Sequence, residues 1–330
     1  MYYLKELNEQ ELGYRKGIPH KAGRYIYITK SYGDFFPFLS QTVTNDNILL
    51  PIITSNDDSK IYTTLVYHND KYTRQGGSRD EYRLYLNSDI DPDQNYFKPQ
   101  DIIVFERIKN DEDVIPIYRL SRFNRENHYY NKLSKILSDS KNRGRHAFID
   151  ELNFLPKSDI ELNSLNIIFP KEVIDDVEVQ QQEILRSDKD IENIRGAKLF
   201  TPVSFREFVL HAYDNKCAIT GESIQYKKLS NLEAAHIQPK AHAGTYLPCN
   251  GLALCRDLHW AFDKGLITIT DDYTVVVHGD INSTFLNKFH GKKIYIPSDP
   301  YFQPEKKFLK HHRENIFGLF INSGSIRSKL

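Results

Sequence analysis

Three side chains between positions 233 and 265 have the types and spacing for hydrolytic chemistry. His236 lies in a strand-like apolar stretch, Asn250 in a loop, and His259 in a segment with helical apolar spacing. A loop that crosses between strand and helix can place His259 opposite His236, and a site between two such side chains suits one divalent cation. A cation with open coordination positions can bind a phosphate oxygen and neutralise a leaving group. A neutral histidine can take a proton from water.

The elements that must position these residues are indicated by the flanking sequence. NLEAAHI predicts a strand, and DLHWAFDKG predicts a short helix that Gly265 closes. Within that helix, Trp260 and Phe262 are expected to pack in the core rather than stack on a base. The sequence therefore predicts a small strand–loop–helix unit built around the two histidines.

A further helix is predicted upstream of this unit. TPVSFREFVLHAYDN has apolar residues at helical spacing. Ser204 is expected to be its N-cap, with Glu207 three residues later as the capping-box partner.

The chain as a whole divides by pattern into three parts. Residues 1–125 alternate aromatic and β-branched residues with polar ones, which predicts a mostly β, barrel-like domain. Residues 126–197 predict a helical linker, and residues 198–330 hold the strand–loop–helix unit and a C-terminal extension. The overall prediction is an α+β protein. Four segments carry the strand pattern most clearly: GRYIYIT, KIYTTLVYH, EYRLYL and DIIVFERI.

Composition limits the class of protein. The 330 residues suffice for two domains, and the formal net charge is zero. A protein that coats nucleic acid without selectivity is usually basic, so the balance argues against that class without excluding a local basic face. Three cysteines do not form a secreted disulfide framework. The N-terminal sequence lacks a signal pattern and no run of about 18 apolar residues occurs, so we expect a cytoplasmic protein without a membrane segment.

The C-terminal motifs resemble a known family. NLEAAHIQP followed by PCNGLALCRDLHWAFDKGLITI is similar to the core of HNH endonucleases, the ββα-metal fold, in the form found in restriction enzymes. The resemblance spans about residues 198 to 280. It implies that His236 is the general base, that Asn250 braces the loop and orients the base, and that His259 is the metal ligand on the helix.

One departure from the family concerns the metal ligands. Many members carry Asp or His immediately before the base, where this chain has Ala235. Either fewer protein groups hold the metal or a nearby carboxylate substitutes, and the candidates are Glu233 and Asp263. Strand alternation puts Glu233 on the face opposite His236, whereas Asp263 lies one turn after His259 on the same helix face. Asp263 is therefore preferred.

A second departure concerns zinc. Many members bind a structural Zn²⁺ through two cysteine pairs. Here the first pair is reduced to Cys217 with Thr220, and the second to Cys255 with Leu258. Two thiolates do not complete a four-ligand site, so we expect no structural zinc and expect both cysteines to be small buried apolar residues.

The β-rich N-terminal part is the candidate for selecting the substrate. GGSRDEYRLYL followed by KPQDIIVFERI resembles the DNA-binding pseudobarrel of EcoRII-type restriction enzymes. The resemblance implies that Lys71, Arg79 and Arg83 contact bases or phosphates, because arginine binds guanine in bidentate fashion. The alternative is that Arg79 belongs to a turn and Arg83 to an exposed strand position.

Basic residues near the histidines allow two interpretations. Lys240, Arg256 and Lys264 could contact DNA phosphates, or they could be solvated surface residues.

The sequence as a whole predicts a restriction-type endonuclease for double-stranded DNA, with a role in phage defence. The expected cofactor is Mg²⁺, while an imidazole ligand also admits Mn²⁺, Ni²⁺ or Zn²⁺. One site per chain and two strands to cut suggest a homodimer. A non-catalytic DNA-binding protein with a decayed HNH domain is the alternative, favoured by Ala235. A nuclease toxin or RNA-cutting enzyme is a third hypothesis, which the neutral charge does not favour.

Overall fold

The computed structural model separates into two compact units, Met1–Leu199 and Phe200–Leu330. Within the described ranges, none of the helices has both the length and the apolar character that crossing a membrane requires. The structure describes residues 1–19, 23–30, 34–54, 57–108, 116–156, 167–187, 199–226 and 229–320.

The first unit is dominated by strands, as the alternating pattern predicts. Its strands are β1 (Tyr2–Glu6), β2 (Tyr14–Arg15), β3 (Ile18–Pro19), β4 (Tyr25–Ile28), β5 (Asn47–Thr54), β6 (Asp57–His68), β7 (Glu81–Tyr85), β8 (Ile102–Ile108), β9 (Ile117–Phe123), β10 (His146–Ile149) and β11 (Ile167–Ile168). Its helices are α1 (Asp70–Thr73), α2 (Tyr130–Asp139) and α3 (Lys171–Arg186).

Nine of these strands form one curled sheet with the order β10-β1-β8-β9-β5-β6-β7-β4, and β11 pairs with β6. The β5–β9 and β11–β6 pairs are parallel, and the other pairs of this sheet are antiparallel. The curled sheet resembles half a barrel. The predicted α+β class, with a β-rich N-terminal part, is confirmed.

The sheet encloses an aromatic core. Along β7, buried and partly exposed residues alternate, whereas β5 is buried along almost its whole length because it lies in the middle of the sheet. Tyr3, Phe35, Phe36 and Phe105 are among the residues of this core. Their rings meet in tilted, stacked and edge-to-face pairs, which are favourable arrangements for aromatic side chains.

The segment expected to be a linker contributes elements to the first unit. Strand β10 pairs with β1, and α2 contacts β1 and β8 through a second apolar cluster that includes Leu133 and Leu137. Helix α3 ends at Arg186, and positions 188–198 lie outside the described residues. The division into recognition domain, linker and nuclease domain stays a prediction.

The second unit is a small α+β assembly with shorter strands. Its strands are β12 (Gln225–Tyr226), β13 (Leu229–Ser230), β14 (Leu232–His236), β15 (Gly251–Cys255), β16 (Ile267–Ile269) and β17 (Val275–Val277). Its helices are α4 (Pro202–Ala212), α5 (Arg256–Asp263), α6 (Thr284–Asn287) and α7 (Lys306–Asn315).

The antiparallel β14–β15 hairpin lies between two helices. Both α4 and α5 contact both of its strands. Because successive side chains of a strand point to opposite faces, neighbouring positions of β14 meet different helices. Helix α5 begins where β15 ends and closes with Gly265, whose φ of +68° suits glycine at a helix C-terminus.

The N-terminus of α4 differs from the predicted one. The N-cap is Thr201, whose hydroxyl accepts from the Ser204 backbone N–H at 3.2 Å, while Ser204 Oγ accepts from the Thr201 N–H at 2.8 Å. Ser204 is thus the inner member of the capping box, and the predicted pairing with Glu207 is wrong. The helix starts earlier because Pro202 follows the cap, and proline suits the first helical position.

Candidate active site

His236 lies at the end of β14, against the face that α4 covers. The Phe205 ring stacks on the imidazole with centroids 4.1 Å apart and planes inclined by 19°. Tyr246 meets the same imidazole edge-on at 5.4 Å. Within the part of the chain that the structure describes, the buried Nε2 atom of His236 has no hydrogen-bond partner. The ring is therefore held by aromatic packing rather than by hydrogen bonds at Nε2.

This environment keeps His236 unprotonated at neutral pH. Burial, the positive charge of Lys240 and the neighbouring His259 together lower the pKa of His236 to about 4. Lys240 is held nearby because its ammonium lies 4.2 Å from the centroid of the Tyr246 ring. A neutral imidazole carries a lone pair on one ring nitrogen, which can accept a proton.

Gly251 makes the contact between α4 and His236 possible. It is paired with His236 across the hairpin, and its φ of −126° is open to any residue. A Cβ atom at this position would overlap Val209 and come within 3.0 Å of the Phe205 ring. The glycine therefore allows close approach of the helix rather than a special turn.

Asn250 ties together the two ends of the loop that follows β14. Its side-chain oxygen accepts from the Gln238 N–H at 2.8 Å, and its Nδ2 donates to the carbonyls of Gln238 and Thr245 at 3.1 and 3.0 Å. The Asn250 carbonyl also accepts from the Ile237 N–H at 2.8 Å. The side chain is fully buried, so these bonds fix the backbone that directly follows His236.

His259 lies on α5 between two carboxylates. Its Nδ1 is 2.8 Å from Glu233 Oε2, and its Nε2 is 3.4 Å from Asp263 Oδ2. An ionised carboxylate only accepts hydrogen bonds, so Nδ1 carries a hydrogen atom and donates a hydrogen bond to Glu233. The Nε2 atom then faces a carboxylate oxygen, so a proton or a cation between the two atoms would stabilise this arrangement.

The two carboxylates titrate differently. Partial burial disfavours the charged form of Glu233, but hydrogen bonds from His259 and Arg256 outweigh it and hold the pKa below its ordinary value. Burial raises the pKa of Asp263, and the charge of Glu233 adds to this, against the opposing effects of His259 and Lys264. Because burial and Glu233 both disfavour ionised Asp263, a cation at this carboxylate would be stabilising.

The position of Glu233 explains the departure at Ala235. Glu233 and Ala235 are two residues apart on β14 and therefore face the same side. Glu233 meets His259 of α5 on that side, whereas Ala235 is fully buried. Glu233 does lie on the face of β14 opposite to that of His236, but the face with Glu233 is the one that meets His259 of α5. That face argument therefore does not count against Glu233 as a ligand.

The donor set suits a divalent cation. Imidazole nitrogen with carboxylate oxygen is a combination that Mg²⁺, Mn²⁺ and related ions accept. Among the described residues, no three His, Cys, Asp or Glu side chains converge on one metal-sized point. His259 Nε2 and Asp263 Oδ2 nevertheless face each other at 3.4 Å, and Glu233 contacts the opposite nitrogen of the imidazole, as a carboxylate often does for a ligating histidine.

The outer face of α5 carries Arg256 and Trp260. Arg256 Nε donates to Glu233 Oε1 at 3.1 Å, and its side chain is 70% exposed. Phe262 is fully buried as predicted, but Trp260 is 59% exposed, so its predicted place in the core is wrong. The reason is helical geometry, since Leu258, Ala261 and Phe262 already form the buried face of α5.

The two cysteines of the reduced zinc motif occupy different environments. Cys217 is fully buried, as predicted, whereas Cys255 is only partly buried. Burial and the adjacent Cys217 thiol raise the pKa of Cys255 to about 11. The Cys255 thiol therefore remains protonated at neutral pH.

In the first unit, the three predicted DNA contacts are paired with carboxylates. Arg79 Nε donates to Asp70 Oδ1 at 3.1 Å, and Lys71 Nζ is 3.8 Å from Asp80. Arg83 forms an ion pair with Glu81, and its guanidinium lies 4.1 Å from the centroid of the Tyr25 ring. The three cations lie on α1, on β7 and in the turn between them.

Phe205 and Tyr246 are contacts of His236 that the sequence did not single out. Phe205 belongs to the apolar face of α4, so its spacing indicates a core position and nothing more. Tyr246 lies in a loop without periodicity. The residue types of that loop do not indicate that it returns to His236.

Comparison with known proteins supports an HNH assignment for part of the chain. Residues 217–270 match the family model described as HNH endonuclease, so the resemblance predicted from the motifs is confirmed over this segment. A search of curated proteins gave no match. The resemblance of the N-terminal strands to the EcoRII-type pseudobarrel stays a prediction.

Among solved structures, one similar chain is a "Modification dependent TagI restriction endonuclease". It is 23% identical, with a TM-score of 0.30, and the match covers 42% of this chain and 47% of that chain. The chain thus spans less than half the length of that relative.

Proposed function

Because residues 217–270 match HNH endonucleases, we propose that the protein is a metal-dependent, restriction-type endonuclease that hydrolyses phosphodiester bonds of double-stranded DNA. The observation that carries this proposal is the environment of His236. Its imidazole is neutral, stacked on Phe205, unpartnered at Nε2 among the described residues, and electrostatically coupled to His259.

His236 acts as the general base. The neutral imidazole removes a proton from a water molecule as the water oxygen attacks phosphorus, and the bond from phosphorus to the 3′ oxygen breaks. Stacking by Phe205 and the loop held by Asn250 keep the imidazole in one orientation, which lowers the entropic cost of reaching the transition state. The departing 3′ oxygen takes its proton from solvent.

His259 and Asp263 hold the metal ion, and Glu233 orients His259. Mg²⁺ is the proposed ion, with Mn²⁺ as a substitute. A bound ion supplies neutralisation of the negative charge on the departing oxygen. Support comes from the 3.4 Å approach of His259 Nε2 to Asp263 Oδ2 and from the 2.8 Å hydrogen bond between His259 and Glu233.

Metal titration by calorimetry tests these roles without a cleavage assay. Asp263→Asn removes a ligand charge and should abolish measurable Mn²⁺ binding. Glu233→Gln keeps the ligands but weakens the orienting bond, so Mn²⁺ affinity should fall about 10- to 100-fold. Equal losses in the two variants would make Glu233 a direct ligand instead.

The curled sheet of the first unit selects the DNA site in this proposal. Lys71, Arg79 and Arg83 each already hold a carboxylate, and exchanging these carboxylates for phosphate or guanine would give binding that depends on sequence. Lys240 and Arg256 contact phosphates near the scissile bond. We further propose a cytoplasmic homodimer that acts in phage defence, since each chain supplies one site for two strands.

Cleavage of supercoiled plasmid tests the proposed function directly. The full chain is incubated with unmodified and cytosine-modified plasmid in Mg²⁺, Mn²⁺ or EDTA, beside His236→Ala and the control His278→Ala. His278 is a partly exposed histidine of the same unit that bonds to Asp280. Discrete bands that require metal and His236, and survive His278→Ala, are expected. Cutting by His236→Ala at the wild-type rate would refute the assigned base.

The decayed-domain alternative makes a different prediction. It was favoured by Ala235, but Glu233 now supplies a carboxylate on the same face. A protein that binds DNA with unchanged affinity in all variants and cuts none of the plasmids would establish that alternative.

A further inference from the structure

The exposed indole of Trp260 has no role in the chemistry described above. It is the one tryptophan of the sequence, it directly follows His259, and it is 59% exposed on α5. A large, rigid aromatic surface in water is unfavourable unless a partner covers it. The preceding position of α5 holds His259, the proposed metal ligand, so a partner of Trp260 would lie on the adjacent face of the same helix.

Two basic residues flank Trp260 at helical spacing. Arg256 lies four residues before it and Lys264 four residues after it, so the three form one stripe along α5. The stripe spans about 12 Å along the helix axis, which equals the rise of roughly three to four nucleotides along a strand. A cation–aromatic–cation stripe of this length matches phosphate, base and phosphate of one strand.

We propose that Trp260 stacks on a nucleobase next to the scissile phosphate, with Arg256 and Lys264 contacting the phosphates on either side. This inference rests on the proposed endonuclease function and adds a determinant of how the strand is placed. Stacking of a base on an aromatic side chain tolerates any sequence, so Trp260 fixes the position of the strand rather than the identity of the site. Arg256 can contact a phosphate because its guanidinium can exchange the exposed ion pair with Glu233 for a phosphate group.

Fluorescence excited at wavelengths that tyrosine does not absorb tests the proposal, because Trp260 is the one tryptophan of the sequence. The full-length His236→Ala chain, which does not cut, is titrated in EDTA with a duplex that the wild type cuts. The expected result is quenching and loss of acrylamide accessibility, with the same midpoint as binding measured by anisotropy of labelled DNA. DNA binding by anisotropy with unchanged fluorescence would overturn the stacking and leave the endonuclease proposal intact.

Substitutions provide the second arm. Stacking contributes about 1–3 kcal/mol per base, so Trp260→Ala should weaken DNA affinity about 5- to 150-fold, whereas Trp260→Phe should retain most of it. Tyr226→Ala is the matched control, since Tyr226 is an aromatic residue of the same unit that is 67% exposed.

Two outcomes would reject the role of Trp260. A loss in Trp260→Ala no larger than in Tyr226→Ala would do so. A Trp260→Ala chain that sediments as a smaller species without DNA would identify the indole as an interface between copies instead. Failure of the wild-type chain to bind any DNA would overturn both this inference and the proposed function.

Discussion

Two histidines of the second unit lie face to face with phenylalanine rings, yet their surroundings differ. His236 stacks on Phe205 at 4.1 Å, and His312 stacks on Phe262 at 3.7 Å. Burial lowers the pKa of both, to about 4 for His236 and about 3 for His312. Stacking and a low pKa therefore do not distinguish a reactive histidine from a structural one.

The hydrogen bonds of the two histidines differ. His312 Nε2 donates to the Phe262 carbonyl at 3.1 Å, and its Nδ1 accepts from the Thr268 hydroxyl at 2.9 Å. Both ring nitrogens are used, as is usual for a buried polar group. In the described chain, Nε2 of His236 has no partner. A buried polar atom left unpaired costs stability, and such a cost is expected where a group is kept ready for a reaction.

The largest effect should come from His236→Leu. Removal of a general base lowers kcat about 10²- to 10⁴-fold, while the melting temperature should stay constant or rise because an unpaired buried atom is removed. Plasmid nicking and thermal unfolding are measured on one preparation. A melting temperature several degrees lower would classify His236 as structural, like His312.

The second-largest effect should come from His312→Leu, which should lower stability and leave activity intact. His312→Leu leaves the Thr268 hydroxyl without its partner and removes a bond to α5, so the free energy of unfolding should fall by about 2 kcal/mol. Urea denaturation measures the loss. At temperatures where the variant is folded, kcat should remain near that of the wild type, and a hundredfold loss of kcat would contradict the assignment.

The pH dependence of stability sharpens the same comparison. The folded pKa of His312 is about 3, below the ordinary value of 6.5, so the unfolded chain binds more protons between these values. The stability from neutral His312 is complete above pH 6.5 and is lost as pH falls toward 3, by up to about 1.4 kcal/mol per pH unit. The stability advantage of wild type over His312→Leu should therefore shrink on acidification and change sign before pH 4, as followed by urea denaturation from pH 7 to pH 4. A constant difference would contradict the prediction.

The smallest predicted effect concerns the ring beneath the base. Phe205→Leu frees the imidazole to rotate, so kcat should fall about tenfold, a typical cost of lost orientation. In a His236→Leu background the same change should have no further effect on kcat. Phe208→Leu is the control, since Phe208 is a buried residue of the same helix that stacks on Phe302. It should lower stability similarly and spare kcat.

The elements around the candidate site followed from local patterns. Strand β14 and helix α5 fall where NLEAAHI and DLHWAFDKG predict them, and Gly265 ends the helix. These features depend on alternation, helical spacing and one glycine, all of which neighbouring residues determine. The exposure of Trp260 was missed because apolar type alone does not show which side of α5 the hairpin covers.

Contacts between distant residues could not be predicted in this way. His312 meets Phe262 across 50 positions of sequence, and Phe205 reaches His236 from a separate helix because Gly251 has no side chain. The partner of Arg79, Asp70 on α1, was likewise unpredicted. Glu81, by contrast, lies two positions before Arg83 on the same face of β7, and this pairing follows from strand alternation. The unpredicted pairings depend on how elements pack, which residue types and spacing alone do not determine.

The packing of α4 and α7 limits how the segment that matches HNH endonucleases can be excised for use in chimeric proteins. A graft of the matched segment, residues 217–270, would carry His236 and His259 but not Phe205 or His312. It would expose to water the apolar surface that α4 covers on the hairpin and that α7 covers on β16, which would invite aggregation. A transferable module should instead begin at Phe200 and extend through α7, with the fusion joints placed outside both helices.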